Sequence, residues 1–183
     1  MSRKNLGLVT TRTSRYSFIS AFKAEQCGNI DAPKDIIDQP YQRGNVWGEE
    51  RNRNLIYSPL IGVPIGAIVA NDRIANYQAF EDAGEEANAR AIIDGKQRLS
   101  AIIGLHEDEF SVPADWFDTA DIAPEHQGNS ESFYSDLTRG AQRDFEMIGI
   151  PMSLTSVSSV EAEKEIFDLI NFGGATQGDS DND

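Results

Sequence analysis

The chain has 183 residues, 39% of them hydrophobic and 25% charged, enough for one domain with a real core. No apolar run approaches the ~20 residues that cross a bilayer, and the polar start Met1-Ser2-Arg3-Lys4 leads into no apolar signal region. A single cysteine, Cys27, and two histidines, His106 and His126, argue against a disulfide framework and against zinc, so a cytoplasmic protein without a membrane segment is expected.

The formal net charge of −14 is unevenly spread. Residues 1–54 carry nine Lys/Arg against six Asp/Glu, residues 55–105 four against six, and residues 106–183 three against eighteen. The last third repels polyanions, so any phosphate chemistry is expected within the first 105 residues.

In chain order, residues 1–30 read as an N-terminal arm or first helix, with a helical stretch at Ser20–Gln26 stopped by Gly28. Pro33 and Pro40 then favour extended chain, with Ile36-Ile37 pairing as a short strand. A polar helix is predicted from about Glu49, turning Leu55 and Ile56 inward and ending before Pro59. Residues 62–70 read as a turn and a buried strand, and residues 71–89 as a surface excursion or a partly helical insertion. Beyond His106 a long loop is anchored by Trp116-Phe117. Ser132 is expected to cap a helix bearing Phe133, Leu137, Ala141 and Phe145. A strand follows at Ile148–Leu154. Ser158 and Glu161 then form a capping box for a last helix whose buried face is Ala162, Ile166, Leu169 and Ile170. Gly173-Gly174 stops that helix, and the composition of residues 178–183 predicts a disordered acidic tail. The expected class is α+β, a small mixed sheet with flanking helices.

The most informative stretch is Ala91–Ile103. Its apolar, β-branched start reads as a buried strand, Asp94-Gly95 as a tight turn, and Leu99, Ile102 and Ile103 as one face of a helix. Strand, glycine turn and helix N-terminus together make an anion site, because free N–H groups and the positive end of the helix dipole face the turn. Lys96 and Arg98 oppose that dipole in the first helical turn, and phosphate is the ligand that would offset this. Gly95-Lys96 is not a Walker loop, lacking the upstream glycine and the following Ser/Thr. Asp94-x-Lys96 also matches the end of a metal-dependent nuclease motif, which would need a second carboxylate such as Asp72 beside it.

Three stretches stand in fixed order: Pro40-Tyr41-Gln42-Arg43 with Trp47, Asp94-Gly95-Lys96-Gln97-Arg98-Leu99, and Phe167-Asp168-Leu169-Ile170-Asn171-Phe172-Gly173-Gly174. Over residues 31–177 the chain resembles the N-terminal domain of GmrSD-type modification-dependent restriction enzymes, a branch of the ParB/sulfiredoxin-like superfamily. That family carries an Asp-Gly-Gln-Gln-Arg run after a strand, and Lys96 here replaces the first Gln. The resemblance implies NTP binding, with Mg²⁺ and hydrolysis, coupled to a DNA-cutting domain in restriction or phage defence. The family's histidine-containing nuclease region is not matched by these residues.

On that resemblance Asp94 and Arg98 are the candidate catalytic residues. Gln42, Arg43, Gly95, Lys96, Gln97, Arg98, Asn171, Gly173 and Gly174 are the candidate nucleotide-binding set. Each has a structural alternative. Arg98 is a phosphate fork or the ion-pair partner of Asp94. Asp94 orients water or Mg²⁺ at the phosphates, or caps the helix. Lys96 and Gln97 face a ligand or solvent. Tyr41 and Trp47 read as loop or core anchors more than as stacking platforms. Two further functions stay open: a non-enzymatic regulator or decoy that binds a nuclease partner, and direct DNA binding through the basic first 54 residues.

Overall fold

The computed structural model describes residues 10–16, 34–36, 39–42 and 47–172. Its centre is a five-stranded mixed sheet in the order β1-β7-β3-β4-β2. The strands are β1 (Thr10–Tyr16), β2 (Lys34–Ile36), β3 (Ile68–Asp72), β4 (Ala89–Asp94) and β7 (Ile150–Thr155). β3 runs antiparallel to β4 and parallel to β7, while the edges β2 and β1 pair parallel with β4 and antiparallel with β7. A two-stranded ribbon, β5 (Val112–Pro113) with β6 (Glu131–Ser132), stands apart. Among the described residues five α-helices complete the α+β class: α1 (Glu49–Leu60), α2 (Tyr77–Asp82), α3 (Lys96–His106), α4 (Arg139–Glu146) and α5 (Val160–Phe172).

The continuous apolar run of β4 follows from cover on both faces. Successive side chains of a strand point to opposite sides. Ile92 thus joins the larger core with Ile68 and Ala70 of β3, Ile56 of α1, Leu99, Ile102 and Leu105 of α3, and Phe145 of α4. Ile93 points the other way, into a smaller core with Val157 and Ile166 of α5. The sheet therefore lies between α1, α3 and α4 on one face and α5 on the other.

Several expectations hold: the strand–Gly95–helix unit, the strand at β7, a helical insertion after β3, and Trp116 and Phe117 anchored on the larger core. Residues 10–16, read as part of an arm, are the edge strand β1. The Ser20–Gln26 helix lies outside the described residues. Helix α1 runs on through Pro59, which sits in its last turn. The helix after Ser132 starts later than expected. Ser132 is buried in the β5–β6 ribbon, the Phe133 N–H donates to Asp136 Oδ2 at 2.9 Å, and Thr138 is the cap, accepting from the Ala141 N–H. The cap of α5 is Ser159, whose Oγ accepts from the Ala162 N–H at 3.2 Å, in place of Ser158.

The inward face of α5 agrees in part: Ile166 is buried and Ala162 packs beside it on the smaller core, but Leu169 and Ile170 are 55% and 41% exposed, and Glu163 is fully buried. Glu163 is held there by Arg73, just after β3 and 2% exposed. Its Nε donates to Glu163 Oε1 at 2.8 Å and its Nη2 to Oε2 at 2.7 Å, a two-pronged pair. Asn71 Nδ2 adds a bond to Glu163 Oε1 at 2.8 Å, and Arg73 Nη2 a bond to Gln39 Oε1 at 3.2 Å. The guanidinium also lies 4.7 Å over the Phe80 ring. Burial opposes the charge on Arg73, yet the hydrogen bond and charge of Glu163 outweigh it and hold Arg73 above its ordinary pKa.

Removing one partner leaves the other charge buried and uncompensated. Glu163→Ala is expected to cost about 3–5 kcal/mol in urea unfolding, and a midpoint unchanged from wild type would show that the pair does not hold the fold. Tyr134 gives a pH signature. Burial, then its 2.7 Å hydrogen bond to Glu146, pushes the phenol above its ordinary value near 10. The fold favours the neutral phenol, so this contribution is complete below about pH 10 and falls as pH rises further. Alkaline unfolding followed by circular dichroism is expected to flatten in Tyr134→Phe; an identical pH profile would remove Tyr134 as a contributor.

Candidate functional site: a cavity at the N-terminus of helix α3

The site begins with Gly95, which joins β4 to α3. Its φ of 102° is left-handed backbone, which favours glycine. A Cβ there would also lie 2.3 Å from Ile68 Cδ1, so space and conformation both exclude a side chain. Gly95 is the N-cap residue, and no side chain caps the helix. The first turn of the helix and the positive end of its dipole therefore face the turn.

Arg98 reaches back across this turn. Its Nη2 bonds Asp94 Oδ2, and its Nη1 donates to the carbonyls of Ala67 at 2.9 Å and Ile65 at 3.2 Å. The ion-pair reading of Arg98 is realised, and Asp94 serves as its partner instead of as a helix cap. The same guanidinium shapes the approach to β3: a Cβ on Gly66, whose φ is +85°, would lie 2.8 Å from Nη1.

Gln42 fixes the opposite lip. Its Nε2 donates to the carbonyls of Ile92 at 2.8 Å and Ile93 at 2.7 Å, so the 39–42 segment is pinned over the end of β4. Gln97 Oε1 accepts from the Trp47 N–H at 3.3 Å, and Arg51 lies 4.2 Å over the Trp47 ring. The third wall is α5. Phe167 packs against Tyr41 with ring centroids 5.5 Å apart, Lys164 Nζ pairs with Asp168 at 2.6 Å, and Asn171 Nδ2 donates back to the Phe167 carbonyl at 2.8 Å. Burial, then the charge of Glu163, raises the Tyr41 phenol and keeps it neutral.

These walls enclose a cavity of about 640 Å³. Of the residues singled out in the sequence, Gln42, Asp94, Gly95, Lys96, Gln97, Arg98 and Asn171 all line it. Arg43, Gly173 and Gly174 lie outside the described residues. Tyr41 and Trp47 line the cavity too, as do Lys164, Phe167 and Asp168, which sequence reasoning did not assign. The Lys164–Asp168 spacing is an ordinary helix-surface pair, and nothing in the pattern sets it apart.

Cations outnumber carboxylates on the lining: Lys96, Arg98 and Lys164 against Asp94 and Asp168. Each of those carboxylates already has a cationic partner. Among the described residues no group of three or more His, Cys, Asp or Glu side chains converges to hold a metal ion. The nuclease reading loses its second carboxylate. Asp72 sits opposite Arg90, at the end of β3 away from Asp94, roughly 10 Å along the strand. No helix among the described residues is long and apolar enough to cross a membrane.

Gly95→Ala tests the turn. The left-handed backbone and the contact with Ile68 are expected to cost about 1–3 kcal/mol or more by urea unfolding. A substitution neutral in that measurement would show that the turn relaxes freely.

No curated protein and no solved structure matches the chain. A family model does: that of the GmrSD restriction endonuclease N-terminal domain, over residues 26–182. The match contains all three stretches that converge on the cavity and spans most of the chain. The chain therefore belongs to the GmrSD restriction endonuclease N-terminal domain family, which sets it in the context of restriction and defence.

Proposed function

We propose that the cavity binds a nucleoside triphosphate, and that the domain uses this nucleotide in a cytoplasmic DNA-restriction or defence system. One observation carries the reading. Residues from three separate stretches, Gln42, Asp94–Arg98 and Asn171, line a single cavity at a helix N-terminus that has no side-chain cap.

The two ends of the cavity differ chemically, as a nucleotide does. At one end stand the first-turn N–H groups of α3, with Lys96 and Gln97 beside them, a donor-rich and positive surface for phosphate oxygens. Away from that turn, Tyr41 and Phe167 offer aromatic faces to a base. Most of Arg98 is committed to Asp94 and two carbonyls. A phosphate is a strong competitor for Nη2, and its arrival would release the Asp94 carboxylate beside the bound phosphates. Asp94 and Arg98 are in this way the candidate catalytic pair.

The donor set fits Mg²⁺ only as an ion carried by the phosphates, with Asp94 as its protein ligand; bound there, it would neutralise phosphate charge. The chain's own part is to orient the phosphates along the α3 N-terminus and to hold the base against the aromatic side chains of the lining. This is positioning and charge stabilisation, the main means by which phosphoryl transfer is accelerated.

Isothermal titration against the four common NTPs, with and without Mg²⁺, tests the reading. At least one is expected to bind, and Lys96→Glu is expected to weaken it about tenfold or more in protein whose circular dichroism shows it folded. Absence of heat from all four at millimolar concentration would end the proposal.

A further inference from the structure

The surface formed by the end of α1, the 115–121 loop and α4 plays no part in the nucleotide cavity. Pro59 and Leu60, Trp116 and Phe117, and Phe145 and Ile148 surround a second concavity of about 380 Å³. An apolar dimple of about 20 Å³ shares Pro59, Phe145 and Ile148 with it, so the two form one groove. Exposed apolar side chains continue it outward. Met147, next to Ile148, is 65% exposed, Ile61 follows Leu60, and the exposed Tyr57 packs on Trp116 with ring centroids 4.8 Å apart. Trp116, partly buried on the larger core, offers an aromatic face in this groove, and aromatic side chains are the usual anchors of a protein interface.

Four carboxylates rim the groove: Asp115, Asp118, Asp121 and Asp144. Among the described residues none of them has an ion pair or a side-chain hydrogen bond, although the protein makes such pairs readily elsewhere. They do not form a metal-holding group, so they are spread around the rim instead of focused on one point. Residues 106–183 carry three Lys/Arg against eighteen Asp/Glu, and although Arg139 and Arg143 lie on α4, neither pairs with a rim aspartate. Such a rim repels nucleic acid and attracts a cationic surface.

We infer that this groove docks a basic segment of a partner protein, one that inserts a large apolar side chain onto Trp116 and places Lys or Arg against the four aspartates. The apolar floor supplies affinity, and the rim charges supply steering and partner choice.

The experiment uses the full chain and a fluorescein-labelled peptide in which Arg and Lys flank Trp and Leu. The comparison peptide carries Glu in place of the basic residues. Fluorescence anisotropy is expected to show binding of the basic peptide alone, weakening with added salt. Asp115→Asn/Asp118→Asn/Asp121→Asn/Asp144→Asn is expected to weaken it about tenfold or more. Glu50→Gln/Glu107→Gln/Glu125→Gln/Glu161→Gln loses the same charge at exposed positions elsewhere and is expected to bind nearly as wild type. NMR shifts are expected at Trp116 and Ile148 and not at Gly95. Equal weakening in both variants would reduce the effect to net charge and overturn the inference. So would no binding at millimolar peptide, shifts centred on the nucleotide cavity, or a concentration-dependent dimer that buries Trp116.

Discussion

The buried pair of Arg73 and Glu163 is the constraint on which the rest of the structure depends. A carboxylate and a guanidinium that leave water together lose hydration that only near-ideal geometry can offset. Here the geometry is two-pronged, and Asn71 and Gln39 take up further hydrogen-bonding capacity. The consequence is positional. Arg73 follows β3, Glu163 lies in the first turns of α5, and Gln39 belongs to the segment that leads into Gln42. One polar knot thus sets three elements relative to one another. All three contribute to the cavity directly or through their neighbours.

A second constraint works from the other side of the sheet's end. Gly95 supplies left-handed backbone where β4 meets α3, and Ile68 occupies the space a side chain would need. Arg98 closes the turn by holding Asp94 and the carbonyls of Ile65 and Ala67. The cavity is the space between these rigid arrangements. Its character follows from what each one presents: backbone donors and cations from α3, aromatic rings from α5 and the 39–42 segment. Asp94 and Arg98 hold each other at rest, so a charged ligand would act on a bonded pair and not on idle groups.

The charge distribution separates two surfaces of different chemistry. The cavity lining carries more cations than carboxylates, although the chain as a whole has a net charge of −14. The groove beside α4 sets aromatic and aliphatic side chains among four carboxylates. One suits a small polyanion and the other a cationic protein surface.

The sequence by itself determined the α+β class, the strand–glycine–helix unit at 89–106 and seven of the residues that line the cavity. These are local properties: β-branched runs, helical spacing, glycine at a turn and short motifs in fixed order. Only the tertiary structure decided what those residues touch. Nothing in the spacing of α5 distinguishes Glu163, which is buried, from Leu169 and Ile170, which are not, because the deciding partner, Arg73, lies ninety residues away. Hydrophobic periodicity placed Ile166 correctly, but it gave no reason for a carboxylate on the same buried face, where a distant guanidinium holds it. Likewise Asp72 stands after a strand just as Asp94 does, yet the antiparallel pairing of β3 with β4 carries it to the opposite end of the sheet. Pairing direction and long-range charge partners are properties of the assembled sheet, and no local stretch of the chain encodes them alone.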